Sequence, residues 1–195
     1  MFNQEKLKQM IVMFVINTVL SLITFSIGSG RFEGKEKTDP FDVGHTILPD
    51  KSGHMWLQIM VFAMFNIPNL LTTELQAEFI KYSLILVLLR HGITFLTISN
   101  PYKYKKCDQQ YKLEYTLFGH CYENTFNFAY ANVVLITLLL LSYNYSKYIA
   151  FGFLGIYTVV LLLLRSGTSS ELLFTALLVY SIKSLGLIQN LPQIL

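Results

Sequence analysis

An all-α polytopic membrane protein, a bundle of six transmembrane helices, is the fold class this sequence predicts, and three observations predict it. The first is composition. Of 195 residues, 53% are hydrophobic and only 14% charged, where soluble domains carry about a quarter charged residues; mean hydropathy is +0.46. The second is clustering: the apolar residues gather into long blocks instead of spreading evenly along the chain. The third is the placement of the polar residues, which collect in two substantial connections, 29–54 and 99–124. If every block crosses, both connections lie on one side.

Taken in order, the six blocks run over about 10–28, 55–71, 79–98, 125–143, 149–164 and 171–188. A helix crossing about 30 Å of hydrocarbon needs roughly 20 mostly apolar residues, and each block meets or approaches that length. Backbone groups in lipid must be paired within the segment, so each block is expected to be helical. Together they make residues 1–195 one transmembrane domain with no separate soluble domain. The first block is longer than a signal-peptide core and lacks a small-residue cleavage site after it, so it reads as a span. The second holds Asn66, Pro68 and Asn69; a proline inside a helix removes a backbone hydrogen bond, so a kink or an end is expected there.

Charge gives a direction. The loop face carries Arg31, Lys35, Lys37, Lys51, Lys103, Lys105, Lys106, Lys112 and Arg165, against Lys6, Lys8, Lys81, Lys147 and Lys183 opposite. The positive-inside rule places the loop face in the cytoplasm or the mitochondrial matrix. Cys107 and Cys121 both fall in the second polar connection. A disulfide closes that loop on an oxidising side; an inside location leaves two thiols. Neither has zinc or haem spacing, and the chain shows no phosphate-binding glycine loop, no metal-ligand pattern, no repeat and no nucleic-acid motif. No cofactor and no nucleic-acid partner are therefore expected.

Several polar residues need a reason to be where they are. Arg90 lies inside the third block. A guanidinium at membrane depth is costly and calls for a partner, a wet cavity or a phosphate; the structural alternative is that the helix ends early and Arg90 reaches an interface. Asn17, Asn127 and Asn132 suit bonds between helices or to a neighbouring protein. His120 follows Leu117-Phe118-Gly119 at the entrance to the fourth block, with Glu114 and Glu171 the nearest acids on its face. Thr168, Ser169 or Ser170 can cap the last helix, and Glu171 complements its positive N-terminus. Capping alone accounts for that string. The aromatic clusters at 102–115, 122–130 and 143–148 suit belts at headgroup level.

In order and spacing, these features resemble the sphingomyelin synthase-like proteins. Asp42-Val43-Gly44-His45-Thr46-Ile47-Leu48-Pro49-Asp50 is similar to their Asp-x-x-His-x-x-Leu-Pro segment between the first two spans. Arg90-His91-Gly92-Ile93-Thr94-Phe95-Leu96-Thr97, then Asn100-Pro101 and Cys107, resembles their third span and the loop after it. Their Cys-Gly-Asp-x-x-Phe-Ser-Gly-His-Thr motif falls on Lys112-Leu113-Glu114-Tyr115-Thr116-Leu117-Phe118-Gly119-His120-Cys121. Their His-Tyr-Thr-x-Asp falls on Gly167-Thr168-Ser169-Ser170-Glu171. The likeness covers about residues 40–180.

In active members, and in the related type 2 phosphatidic acid phosphatases, the later histidine attacks the lipid phosphate, the acid four residues on orients it, and the earlier histidine protonates the leaving group. Carried onto this chain, the acid is His120 and the orienting carboxylate Glu171, while the nucleophile position is Gly167. The resemblance thus implies a pseudoenzyme in which His120, Glu171 and Glu114 are vestigial, unless His45 or His91 substitutes. It implies a structural or accessory subunit of a larger membrane complex, with other membrane-protein subunits and lipids as partners. Arg90, His120, Lys112 and Arg165 are then expected to hold a lipid headgroup, cardiolipin being one candidate. The alternative is an active lipid phosphatase or phospholipid headgroup transferase with a non-standard site. An active enzyme belongs in the Golgi, endoplasmic reticulum or plasma membrane. The small subunit with inward-leaning basic loops fits the mitochondrial inner membrane, the compartment slightly favoured.

Overall fold

The computed structural model describes residues 4–32, 42–51, 55–70, 73–97, 125–144 and 146–185. Among the described residues the secondary structure is helical, without a strand. The long helices are α1 (Gln4–Phe32), α3 (Met55–Leu70), α4 (Thr73–Thr97), α5 (Phe128–Ser142), α6 (Lys147–Leu163) and α7 (Ser169–Ser184), and a five-residue helix, α2 (Val43–Ile47), sits between the first two.

Local sequence explains most of the ends. The Asn127 side chain caps α5 by accepting from the Tyr130 N–H at 3.0 Å. Thr168 caps α7 in a capping box: its hydroxyl accepts from the Glu171 N–H at 3.1 Å, and the Glu171 carboxylate accepts from the Thr168 N–H at 3.3 Å. Helix α2 stops at Leu48, which is extended (φ −95°, ψ 142°), as expected of a residue before proline. Between α5 and α6, Asn144 takes a left-handed conformation (φ 58°) that asparagine tolerates better than most residues.

Helix α3 runs through Asn66 and Pro68 and ends at Leu70, two residues past the proline, in keeping with the end expected there. One reading of Arg90 is corrected. Helix α4 continues seven residues beyond Arg90 to Thr97, and Arg90 is 0% exposed. That removes the reading in which Arg90 reaches an interface.

Helix α5 is the centre. It is apolar all round, as a fully enclosed helix must be, and packs against α3, α4, α6 and α7. Its Ala131, Val133, Leu135, Ile136 and Leu139 form the core with Leu86 of α4, Phe126, and Tyr157 and Leu161 of α6. Helix α1 lies outside this group and docks on α4.

The outer faces are as apolar as the core. Phe14 and Val15 of α1, Leu88 and Leu96 of α4, Ile149 and Ile156 of α6, and Leu173 and Leu177 of α7 are all exposed. Among the described residues two helices are long and apolar enough to cross a membrane, at Ile11–Gly28 and Glu78–Thr97, while α5 and α6 are shorter apolar helices. Only 22% of Ile11–Gly28 is buried, so α1 is not the enclosed core helix of a soluble domain. These features support membrane association.

Candidate functional site

Of the residues expected to carry chemistry, those that are described fall in two buried polar clusters, one at an end of the bundle and one inside it. The end cluster is where the segment 42–51 meets the turn between α6 and α7. Asp42 begins it. As N-cap of α2 its Oδ1 accepts from the His45 N–H at 2.9 Å. The same carboxylate reaches across 127 residues of chain to the head of α7, where Oδ2 accepts from the Ser169 N–H at 2.6 Å and Oδ1 accepts from the Ser169 hydroxyl at 3.2 Å. The Ser169 Oγ in turn accepts from the Gly44 N–H at 3.2 Å. Gly44 suits this close approach: a Cβ would stand 2.7 Å from that Oγ and 2.9 Å from Leu162 Cδ2, so those side chains would have to shift.

Further bonds complete the junction. The Arg165 Nη2 donates to the Leu48 carbonyl at 3.1 Å, and the Lys51 N–H to the Leu163 carbonyl at 2.8 Å. Arg165 itself is left-handed (φ 56°), a strained conformation for a long side chain that persists only where surroundings over-determine it. Its Nη1 is buried and meets no acceptor among the described residues.

His45 lies beside these groups. Its Nε2 is 2.9 Å from the Gly167 carbonyl oxygen. A carbonyl only accepts, so the hydrogen belongs on Nε2 and the lone pair of the neutral ring on Nδ1. Nδ1 faces Asp42 Oδ1 at 3.9 Å. Burial pushes the His45 pKa below its usual 6.5; Asp42 opposes that and the Arg165 charge adds to it, while the bond to Gly167 and the charge of Asp50 raise it.

Gly167, the position to which the resemblance assigns a nucleophile, is buried. A Cβ placed there would stand 3.0 Å from Asn127 Nδ2, 3.2 Å from Leu172 Cδ2 and 3.4 Å from Glu171 Oε2. Even a methyl group needs its neighbours to give by a few tenths of an ångström. An imidazole must displace them outright. Those neighbours are engaged elsewhere, since Asn127 Nδ2 donates to the Ser166 carbonyl at 3.1 Å and Glu171 closes the cap of α7. Beneath them the Ser166 hydroxyl donates to Gln58 Oε1 at 2.8 Å, so α3, α5, α6 and α7 meet at this turn.

The inner cluster centres on Arg90. Its Nη1 donates to Asn17 Oδ1 at 2.7 Å, joining α4 to α1, and its guanidinium lies 5.0 Å above the Phe128 ring of α5. The amide oxygen of Asn17 also receives His91 Nε2 at 3.3 Å. Nearby, the Ser83 hydroxyl donates to Asn132 Oδ1 at 3.5 Å. The three asparagines noted in the sequence thus bond between helices, as their types suggested.

The expected site residues therefore separate. Arg165 and Glu171 meet at the end cluster with Gly167; Arg90 is engaged inside the bundle, one residue removed, through Phe128 and Asn127. His120, Glu114, Lys112, Cys107 and Cys121 lie outside the described residues. Sequence reasoning placed Asn127 between helices and Ser169 at the head of α7, but missed the bond from Ser169 to Asp42. The Asp-x-x-His spacing signals only the local cap of α2; nothing in the sequence marks its reach to Ser169. Scanned against protein-family models, curated proteins and solved structures, the chain matches none.

Proposed function

We propose that this chain is a six-span membrane protein of the sphingomyelin synthase-like and type 2 phosphatidic acid phosphatase superfamily that has lost its chemistry. It serves as a structural or accessory subunit of a larger membrane complex and holds a phospholipid at its loop face. The single observation that carries this is Gly167: where the resemblance calls for a nucleophile there is no side chain, and the space for one is filled by Asn127, Leu172 and Glu171. Removing the nucleophile from a group of residues that acts as a unit lowers the rate by several orders of magnitude.

Supporting the membrane-subunit reading are the apolar outer faces of α1, α4, α6 and α7. Supporting the headgroup reading is Arg165, a cation whose buried Nη1 meets no acceptor among the described residues. His120 and Lys112 complete the expected headgroup set from the loop, while Arg90 is engaged inside the bundle by Asn17 and Phe128. Cardiolipin fits a set of basic groups between helices, and the mitochondrial inner membrane is the compartment we favour over Golgi or endoplasmic reticulum.

One observation favours the alternative, a lipid phosphatase or headgroup transferase: an imidazole, His45, does stand against Gly167. Its Nε2 carries the hydrogen donated to the Gly167 carbonyl, so that nitrogen is not free to attack phosphorus. The test is direct. Purified protein in lipid nanodiscs is given phosphatidate, phosphatidylcholine and ceramide, and labelled phosphoenzyme is sought by rapid acid quench. No turnover and no phosphoenzyme is expected. Turnover that His120→Ala abolishes, or a label lost in His45→Ala, sinks the pseudoenzyme.

A further inference from the structure

Three consecutive helices of this chain have both ends fixed by caps, and all three are short. Helix α5 runs 15 residues between Asn127 and Tyr143, α6 runs 17 between Ser146 and Leu164, and α7 runs 16 between Thr168 and Leu185. At 1.5 Å per residue they are about 23–26 Å long, less than the roughly 30 Å of a typical hydrocarbon core. Tilting them only lowers that reach. The ends are set by local chemistry: the Asn127 and Thr168 side chains accept backbone N–H groups, and Asn144 turns the chain in a left-handed conformation. Neighbouring helices therefore share a level at each of the turns 143–146 and 164–168.

The two long helices reach the same figure by a different route. Helix α1 has 29 residues, so its length sets no such limit. Its outward apolar side chains run from Ile11 through Phe14, Val19 and Ile23 to Ile27, about 24 Å along the axis. Lys8 and Arg31 are exposed just beyond the two ends of that face. On α4, Lys81 is exposed inside the apolar stretch Glu78–Thr97, and from it to Thr97 is again about 24 Å. On α6, Lys147 and Tyr148 are exposed ahead of outward Ile149, Ile156 and Val159, and Arg165 follows the far end. Basic and aromatic side chains mark the two surfaces of a bilayer in this way.

We propose that the outer surface is matched to a thin bilayer, with a hydrocarbon core of about 24 Å, formed by phospholipids with short or unsaturated acyl chains and little sterol. This rests on the six-span reading and names the lipid surface that such a bundle takes. Helix α1 packs on α4, and α6 on α3 and α5. A protein partner seated on one of these faces would set no limit on the other, whereas a lipid layer sets the same limit on both. An internal membrane of about 27 Å comes within a few ångströms of the belt. A sterol-rich membrane of about 32–33 Å overlaps it by more than a turn of helix, and draws Lys147 or Arg165 into hydrocarbon unless the bilayer thins.

The full chain is reconstituted into vesicles of phosphatidylcholine with myristoleoyl, oleoyl or erucoyl chains, in order of rising thickness, the last also with cholesterol. Flotation reports insertion, and circular dichroism on heating reports stability. The expected melting temperature is highest in myristoleoyl vesicles and lower by at least about 5 °C in erucoyl vesicles with cholesterol. Ser146→Leu with Lys147→Leu lengthens the apolar face of α6 at its start and removes no side-chain cap bond, so it should reduce that loss. A melting temperature that is highest in erucoyl vesicles, or equal in all of them, overturns the match and leaves the six-span reading standing. A loss unchanged in the double variant overturns it as well, since the length of α6 then sets nothing. A helical chain that floats with none of the vesicles removes the six-span reading and the match together.

Discussion

At the scale of single residues, the molecule's most consequential choices are a glycine and an asparagine. Gly167 leaves room for Asn127, Leu172 and Glu171 to pack where a Cβ would stand. Asn17 does the reverse: it supplies the one amide oxygen that receives both the Arg90 guanidinium at 2.7 Å and the His91 ring at 3.3 Å. A buried donor deprived of its acceptor costs about 1–3 kcal/mol, with charged groups at the upper end. Asn17→Leu, which matches the apolar residues around it, is therefore expected to destabilise the fold by about 2–3 kcal/mol, and thermal unfolding in detergent measures it. Thr18→Leu, one residue along at a half-buried position whose hydroxyl bonds to the Phe14 carbonyl of its own helix, should change stability by less than about 0.5 kcal/mol. Equal losses in the two variants would mean that Asn17 does not hold α1 to α4.

At the scale of elements, the cap of α7 and the segment 42–51 bonded to it are separable. Thr168 and Glu171 satisfy each other's backbone N–H within four residues, so Thr168→Ala should cost about 1 kcal/mol and lower the melting temperature without loosening 42–51. That segment responds instead to pH through His45. Because burial holds its folded pKa below 6.5, the unfolded chain binds the extra proton more readily than the folded one. The neutral ring's contribution is thus complete above the unfolded value and declines as pH falls through the window beneath it. The melting temperature should drop on going from pH 7.5 to pH 5, by titration centred below about 6.5, and His45→Gln should flatten that part of the curve. These two elements also show what a sequence discloses. The Thr-Ser-Ser-Glu cap is readable because its partners are three residues apart. Helices are readable because apolar blocks are local patterns. The contact of Asp42 with Ser169 is not, since it depends on two distant segments being brought to one end of the bundle. Likewise Arg90 looks equally at home at an interface or inside until Asn17 and Phe128 are placed beside it.

At the scale of the whole molecule, the distribution of apolar surface asks for a surrounding that water cannot provide. Helix α5 is enclosed by its neighbours, but α1 is held along one side only and leaves Ile11, Phe14, Val15 and Ile23 outward. Lipid covers such faces in a free protein; another subunit covers them in an assembly. The two differ in mass. After gentle solubilisation, a structural subunit should migrate far above its own 22.4 kDa in a defined particle whose partners mass spectrometry identifies, with phospholipid, cardiolipin among the species sought, retained through purification. Arg165→Met should reduce the retained phospholipid by several-fold and leave the particle's mass unchanged, because the guanidinium faces the turn and not the outer surface of α1 or α6. Migration as a free monomer or dimer removes the subunit reading. Loss of the particle in Arg165→Met would instead place the turn itself at the subunit contact, and the headgroup would no longer be needed to explain why a cation is kept in a left-handed turn.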